Sequence, residues 1–576
     1  MVLSSTPENG PSLVLIEGGL TAIAVAVSFA LPHLSSLWFS RIERAFGLLA
    51  RRKNLSVILV GLSTFLLRVA ILPLCPIPNP FVQDDFSFLL AADTFSSGRL
   101  TNPTPLMWKH FETMHITMKP TYMSMYFPAQ GLILAAGKLL TGHPWFGILL
   151  MTSLMCAAIC WMLQAWLPPT WALLGGILAI LRLGLFSYWI NTYSGAGSIV
   201  ALGGALVLGA LPRFMKGGEF RYSLLMAIGV ILLGTSRLYE GMLLCLPVVC
   251  VLIKWIFVGK NRPDISVLLR RTALPLILIL AAGTWMGYYN HCVFGSPVTL
   301  PYTLDRAQYA TAPYFVWQSQ RPQPVYRYVE MRNFYRVEFD TYAKIHKPSG
   351  FVPETLLKAA RALLFYAGIA LLPPLIMLRR VLLDRRIRFL LLCVLVAVVG
   401  QLVEIFFIPH YIAPFTAVFY AIGLQAMRHL RLWRPGDQPV GMTLVRLTVT
   451  LCVVLAGMRL FAEPLNLSLP VWPAVWAAEW YGPSSKSGGE RCLIADNLKR
   501  LPGKQLVIVS YPPNHDPLIE WVYNDADIDN AKVIWARDMG QAGNSELTQY
   551  YKDRTVWLVE PDTTPAKLSL YPSPPQ

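Results

Sequence analysis

The sequence predicts a mainly α-helical, polytopic membrane fold that ends in a small α/β unit, and three observations predict it. Of 576 residues, 55% are hydrophobic and 14% charged, against about 25% charged in a soluble domain. The apolar residues fall in runs of roughly 20, the helical length that crosses a hydrocarbon layer about 30 Å thick. The segments between runs alternate between basic and non-basic, the pattern that orients membrane helices. A transmembrane β-barrel would instead alternate apolar and polar residues along each strand.

About 11–13 spans are expected. They lie near 13–33, 55–75, 145–166, 170–187, 195–212, 222–237, 241–258, 272–290, 356–378, 388–407, 411–427 and 442–462. Glu17, Gly18 and Gly19 interrupt the first, which therefore has the weakest pattern. Arg and Lys gather around 41–53, 213–221, 260–271, 379–388 and 428–434, which should be cytoplasmic. The opposite face then carries the long loops 76–144 and 291–355 and everything after 462, so chemistry is expected there. The net charge of +17 belongs to the basic loops. With no basic tail and no nucleic-acid motif, the expected contacts are membrane lipids rather than nucleic acid.

Nine cysteines are present, and Cys156, Cys160, Cys245, Cys250, Cys393 and Cys452 lie inside apolar runs. They form neither a disulfide framework nor a C-x-x-C metal pair. The chain divides into a membrane unit, 1–462, and a soluble unit, 463–576. In the second, 505–511, 532–536 and 555–559 read as strands bounded by turn formers, and 484–490 (SSKSGGE) reads as a linker.

The sharpest local signal is Asp84 and Asp85, just past the second span. Paired carboxylates at a membrane boundary are costly unless solvated, paired or used. Either can serve as general base toward an acceptor hydroxyl or amine; the plainer alternative is a solvated helix start capped by Asp85. The stretch 119–131 (KPTYMSMYFPAQG) suits a helix lying along the outer leaflet. His110 and His115, five apart, are a weak metal pair. Ser236 to Glu240 (SRLYE) breaks a long apolar stretch; Arg237 and Glu240 can pair at i, i+3, or Arg237 can clamp a phosphate. Pro409, His410 and Tyr411 mark another external turn. Glu404, deeper in the preceding span, is a functional candidate or a packing partner of Gln401. Asp84, Asp85, Arg237 and His410 are all expected at one membrane face.

With those residues in place, the chain resembles the GT-C superfamily, multi-spanning glycosyltransferases that use lipid-phosphate-linked sugars. That superfamily includes protein mannosyltransferases and the bacterial aminoarabinose transferase of lipid A. The resemblance rests on the acidic pair Asp84 and Asp85 after a span, the aromatic stretch Tyr126, Phe127 and Pro128, the His410–Tyr411 turn, and the external C-terminal unit. It implies an inverting transferase of the cell envelope, in a bacterial inner membrane with the C-terminal unit in the periplasm. The donor would be a polyprenyl-phosphate sugar and the acceptor a lipid, glycan or protein. It further implies that Asp84 or Asp85 is the base and that Arg237 and His410, with Lys119, hold the donor phosphate. Glu240, Tyr239, Tyr411 and Glu404 would support them. Some relatives use a divalent cation (Mg or Mn), which the acidic pair would help bind. Two other readings compete: a transporter or flippase, and an O-antigen ligase or polymerase-type protein. In the latter, Arg306, Arg321, Arg327, Arg332 and Arg336 of the second long loop would carry the chemistry.

Overall fold

A computed structural model describes residues 11–34, 36–80, 82–258, 264–462, 464–467 and 489–572. Eight described helices are long and apolar enough to cross a bilayer. They include α1 (Leu13–Ala30) and, with the amphipathic α2 (Ser36–Arg51) between them, α3 (Lys53–Ala70). The others are Trp145–Trp166, Gly197–Gly217, Leu238–Phe257, Ile265–Phe294, Arg385–Val403 and Val440–Leu460. At the remaining expected spans stand shorter or more charged helices, Pro169–Gly184, Phe220–Gly234, Pro348–Tyr366 and Thr416–Arg431.

Two expected spans end early. The run from 356 breaks at Gly368, whose φ of +63° leaves helical space, and Pro373 and Pro374 then impose a 3-10 turn. The run from 388 stops at Val403, because Glu404 turns extended and its segment bridges to Phe315 of the second long loop.

The weakly patterned first span packs into the bundle through the residue that interrupts it. Glu17 is 1% exposed; its carboxylate accepts the Ala370 N–H at 2.9 Å and lies 3.7 Å from Arg459. An acid at membrane depth is tolerated when it faces the bundle and has a cationic partner.

The two faces separate as the basic loops require. Arg431 and Arg446 both bind Glu43 of α2, at 2.8 and 2.9 Å, and Arg271 donates to the Gly218 carbonyl at 2.6 Å. Four of the basic segments are thereby tied together in pairs on one side. On the other side the two long loops meet the C-terminal unit. Glu112 of the first loop accepts from Tyr309 and Arg327 of the second, and Arg537 of the C-terminal unit donates to the Glu112 carbonyl.

The first loop contains helix α4 (Gln83–Ser96) and a two-stranded antiparallel ladder, β1 (Ile116–Thr117) with β2 (Met123–Ser124). The stretch 119–131 is therefore not a helix along the lipid surface. Residues 122–130 are buried in protein, β2 runs through them, and a helix starts only at Pro128. Their aromatic character serves an interior.

The C-terminal unit is a four-stranded sheet in the order β4-β3-β5-β6, formed by β3 (Lys504–Val509), β4 (Val533–Arg537), β5 (Arg554–Glu560) and β6 (Lys567–Leu570). β3 pairs in parallel with β4 and β5, and β6 closes one edge antiparallel. Strand alternation gives the sheet two apolar faces. Val507 and Val509 point to a core with Trp521 and Trp535. Leu506 and Ile508 point to a core shared with Phe86, Leu90, Phe111 and Tyr122 of the first loop. Of the expected linker, 484–488 lie outside the described residues, and Gly489 already begins the helix Gly489–Arg500.

Candidate functional site

Asp84 and Asp85 occupy the first turn of α4, where the helix dipole favours anions. Successive residues on a helix point about 100° apart, so the two carboxylates face different surroundings. Asp85 is 1% exposed. One of its oxygens accepts the Tyr193 N–H at 2.9 Å and the other the Val82 N–H at 3.4 Å. It caps α4 and pins the loop 191–196.

Asp84 is the open member, with its side chain 23% exposed. Its Oδ1 lies 2.5 Å from His115 Nδ1 and also accepts the Tyr126 hydroxyl. The imidazole and the phenol are themselves 2.8 Å apart. Among the described residues no bond falls on Oδ2.

Each partner is held firmly. His115 adopts a left-handed φ of +61°, and its carbonyl accepts the Ser87 hydroxyl of α4 at 2.7 Å. Tyr126 stacks on Phe88 of α4 with ring centres 4.4 Å apart, and meets Tyr302 edge-on at 5.4 Å.

The electrostatics follow from these contacts. Burial alone would push the Asp84 carboxyl up. The His115 charge, the two hydrogen bonds and Arg237 outweigh it and hold the group below the usual carboxylate range. For His115, burial acts downward, and the Asp84 charge and bond raise it above the ordinary imidazole value. Each partner thus favours the charged form of the other. Asp305, fully buried, is pushed up to about 6 by burial, which exceeds the opposing pull of His115 and Arg306.

Arg237 comes to the same place from the turn before the helix Leu238–Phe257. Its Nε donates to Glu240 at 2.8 Å, and its guanidinium lies over the Tyr411 ring at 4.1 Å. Asp84, Arg237, Glu240 and Tyr411, which span more than 300 positions of sequence, thus share one region.

Other expected residues sit beside it in different roles. His410 is 4% exposed and turns inward. Its backbone N–H donates to the Tyr188 hydroxyl at 3.0 Å, and that hydroxyl lies 2.8 Å from Nδ1. The ring rests on Gly195, whose φ of +85° and missing Cβ leave it room. Glu404 accepts from Gln401 at 2.8 Å, while Lys358 binds the Glu404 and Gln401 carbonyls at a helix end. Tyr239 donates to the Gly400 carbonyl at 3.0 Å. Lys119 is exposed and lies over the Trp108 ring at 4.4 Å, on the outer surface of the loop. Of the second-loop arginines, Arg306 pairs with Glu338 at 2.6 Å and Arg327 with Glu112 at 3.1 Å.

Sequence reasoning did not assign His115 and Tyr126 as partners of Asp84. They lie 31 and 42 positions away, and no short-range pattern links such residues.

The acidic pair does not fit a divalent ion held by protein. Asp84 Oδ1 is bonded by two hydrogen-bond donors, Asp85 by two backbone N–H groups, and no cluster of three His, Cys, Asp or Glu capable of holding a metal exists among the described residues. His115 Nδ1 occupies the position beside Asp84 Oδ1.

Fold and site together define an integral, multi-pass membrane protein with an acid–imidazole–phenol centre on the face opposite its basic loops. No family model matches the chain, and no curated protein does. Solved structures with a similar chain path include the Archaeoglobus fulgidus oligosaccharyltransferase tethered with an acceptor peptide. It has a TM-score of 0.46 at 10% identity, over 88% of this chain and 69% of that one. ArnT from Cupriavidus metallidurans bound to undecaprenyl phosphate gives 0.41 at 12% identity, over 88% and 92%. A second structure of the Archaeoglobus enzyme, in complex with Zn and sulfate, gives 0.43 at 10% identity, over 88% and 67%.

Proposed function

We propose that this chain is a membrane glycosyltransferase that moves a sugar from a polyprenyl-phosphate-linked donor to an acceptor of the cell envelope, on the external face. In a bacterium that places it in the inner membrane with the C-terminal unit in the periplasm. The observation that carries the reading is Asp84. It is partly open, with one oxygen held by His115 and Tyr126 and the other without a bond to a described residue.

Asp84 Oδ2 takes the proton from the acceptor hydroxyl or amine as that atom attacks the anomeric carbon from the side opposite the phosphate. The new glycosidic bond forms with inversion, and the bond from the anomeric carbon to the phosphate oxygen breaks. The electron pair leaves on the polyprenyl phosphate. Arg237, ordered by Glu240 and Tyr411, supplies positive charge for that departing phosphate. His410 acts through the backbone, fixing the turn that presents Tyr411.

The test is transfer from a labelled polyprenyl-phosphate sugar in reconstituted membranes. Asp84→Asn should lower transfer about 10³-fold while the protein inserts normally; transfer at the wild-type rate would end the assignment. Mass spectrometry of envelope glycans and lipid-linked sugars, in cells with and without the gene, identifies donor and acceptor.

A further inference from the structure

The ladder that carries His115 is too short to hold itself. β1 and β2 have two residues each, and an isolated two-stranded ladder is marginal in water even when longer. Yet His115 sits at a left-handed φ with its imidazole 2.5 Å from Asp84. Ser87 of α4 holds the His115 carbonyl and Phe334 of the second long loop meets the imidazole edge-on at 5.2 Å; the C-terminal unit packs against the same segment from its own side.

One side chain there touches both segments that carry the pair, α4 and the residue before His115. Tyr523 is 4% exposed. Its ring stacks on Phe86, two residues beyond Asp84 on α4, with centres 4.6 Å apart and planes 6° from parallel. Its hydroxyl donates to the carbonyl of Met114, the residue before His115, at 3.3 Å. Arg491 fixes this arrangement. Its guanidinium lies over Phe86 at 4.4 Å and over Trp535 at 4.6 Å. It also donates to the carbonyls of Trp521 and Tyr523 at 2.9 and 2.8 Å. Further bonds tie the same segment down: Tyr122 to the Asn524 carbonyl at 3.0 Å, and the Ala526 N–H to Asp93 at 2.8 Å.

We infer that Tyr523 is a positioning residue for the Asp84–His115 pair, so that the C-terminal unit is a working part of the external site. It sets the spacing between α4 and the segment 112–115, and through that spacing the grip of the imidazole on the acid. The inference rests on the transferase reading for its kinetic consequences but not for its structural ones.

The experiment uses the full chain with three substitutions. Tyr523→Phe removes the hydroxyl and keeps the stack; kcat should fall about threefold to tenfold, the size of one hydrogen bond. Tyr523→Ala removes both contacts; kcat should fall about 100-fold with KM nearly unchanged, as expected of a displacement near 1 Å at a reacting group. The acid limb of its pH–rate profile should move to higher pH, because Asp84 loses part of its partner charge. Val507→Ala is the control. It lies on the same sheet but on the face turned away from the first loop, so it should lower Tm without moving the acid limb. Wild-type turnover in Tyr523→Ala, or an equal shift of the limb in Val507→Ala, overturns the inference. Nitrogen-15 NMR of His115 reads the same geometry without any transfer: its titration should fall in Tyr523→Ala, and an unchanged titration overturns the positioning role. Absence of transfer by the wild-type protein would instead sink the transferase reading and leave the NMR result standing.

Discussion

Glu17 and Asp84 are both carboxylates near the outer ends of membrane helices, and they are held in opposite ways. Glu17 is sealed. A backbone N–H and Arg459 meet its oxygens, and the neighbouring Arg182 donates to the Phe365 carbonyl at 2.9 Å. Glu17 is 1% exposed and its partners are a backbone N–H and a guanidinium, so it ties α1 to the bundle. Asp84 is met by an imidazole and a phenol, both of which exchange protons, and one side stays open. An acid gives stability when its partners are permanent charges and backbone, and chemistry when they are proton carriers with access.

Substitution breaks the comparison most sharply. Asp84→Asn should cost about 10³-fold in kcat, within the range for loss of a general base, with Tm lowered less than in Glu17→Gln because its side chain is partly open. Glu17→Gln should do the reverse. Removing one partner of a buried ion pair costs about 3–5 kcal/mol, so thermal unfolding should come markedly earlier while turnover per folded molecule is kept. Loss of turnover without loss of stability in Glu17→Gln would void the distinction.

The pH response sharpens it. Asp84 is depressed in the fold, so its contribution is present above the unfolded carboxylate value and lost as pH falls through the depressed one. His115 is raised, so its contribution is present below the unfolded imidazole value and lost as pH rises through the raised one. A bell-shaped rate profile is expected. His115→Gln should flatten its alkaline limb and move the acid limb upward; an unaltered profile would detach His115 from the acid. The smallest effect is expected from Tyr126→Phe, which removes one donor from Asp84 and should lower kcat about tenfold.

The two acids were unequally legible. Asp84 and Asp85 stood out because adjacent carboxylates beside an apolar run are rare, and Arg237 with Glu240 because they interrupt one. Helical twist separated the pair into a cap and an open acid, and that depends on which neighbours pack against α4. Glu17 reads in the sequence as a flaw in the first span; its partners lie more than 300 positions away. The stretch 119–131 carries a composition that a membrane interface and a protein interior use equally, so its burial was decided by what covers it. Lys119 and His410 show the same limit: being at the external face does not say which way a side chain turns.

Local composition determined the membrane class, most helix positions and three of the four strands of the C-terminal unit. Each of these depends on hydrophobic runs, periodicity or charge bias that a short window contains. Tertiary structure alone decided that His115 and Tyr126 grip Asp84, that Glu17 is a fastening, and that the C-terminal sheet shares a core with the first loop. Such contacts join residues tens to hundreds of positions apart, and their energy comes from packing geometry that no window of sequence encodes.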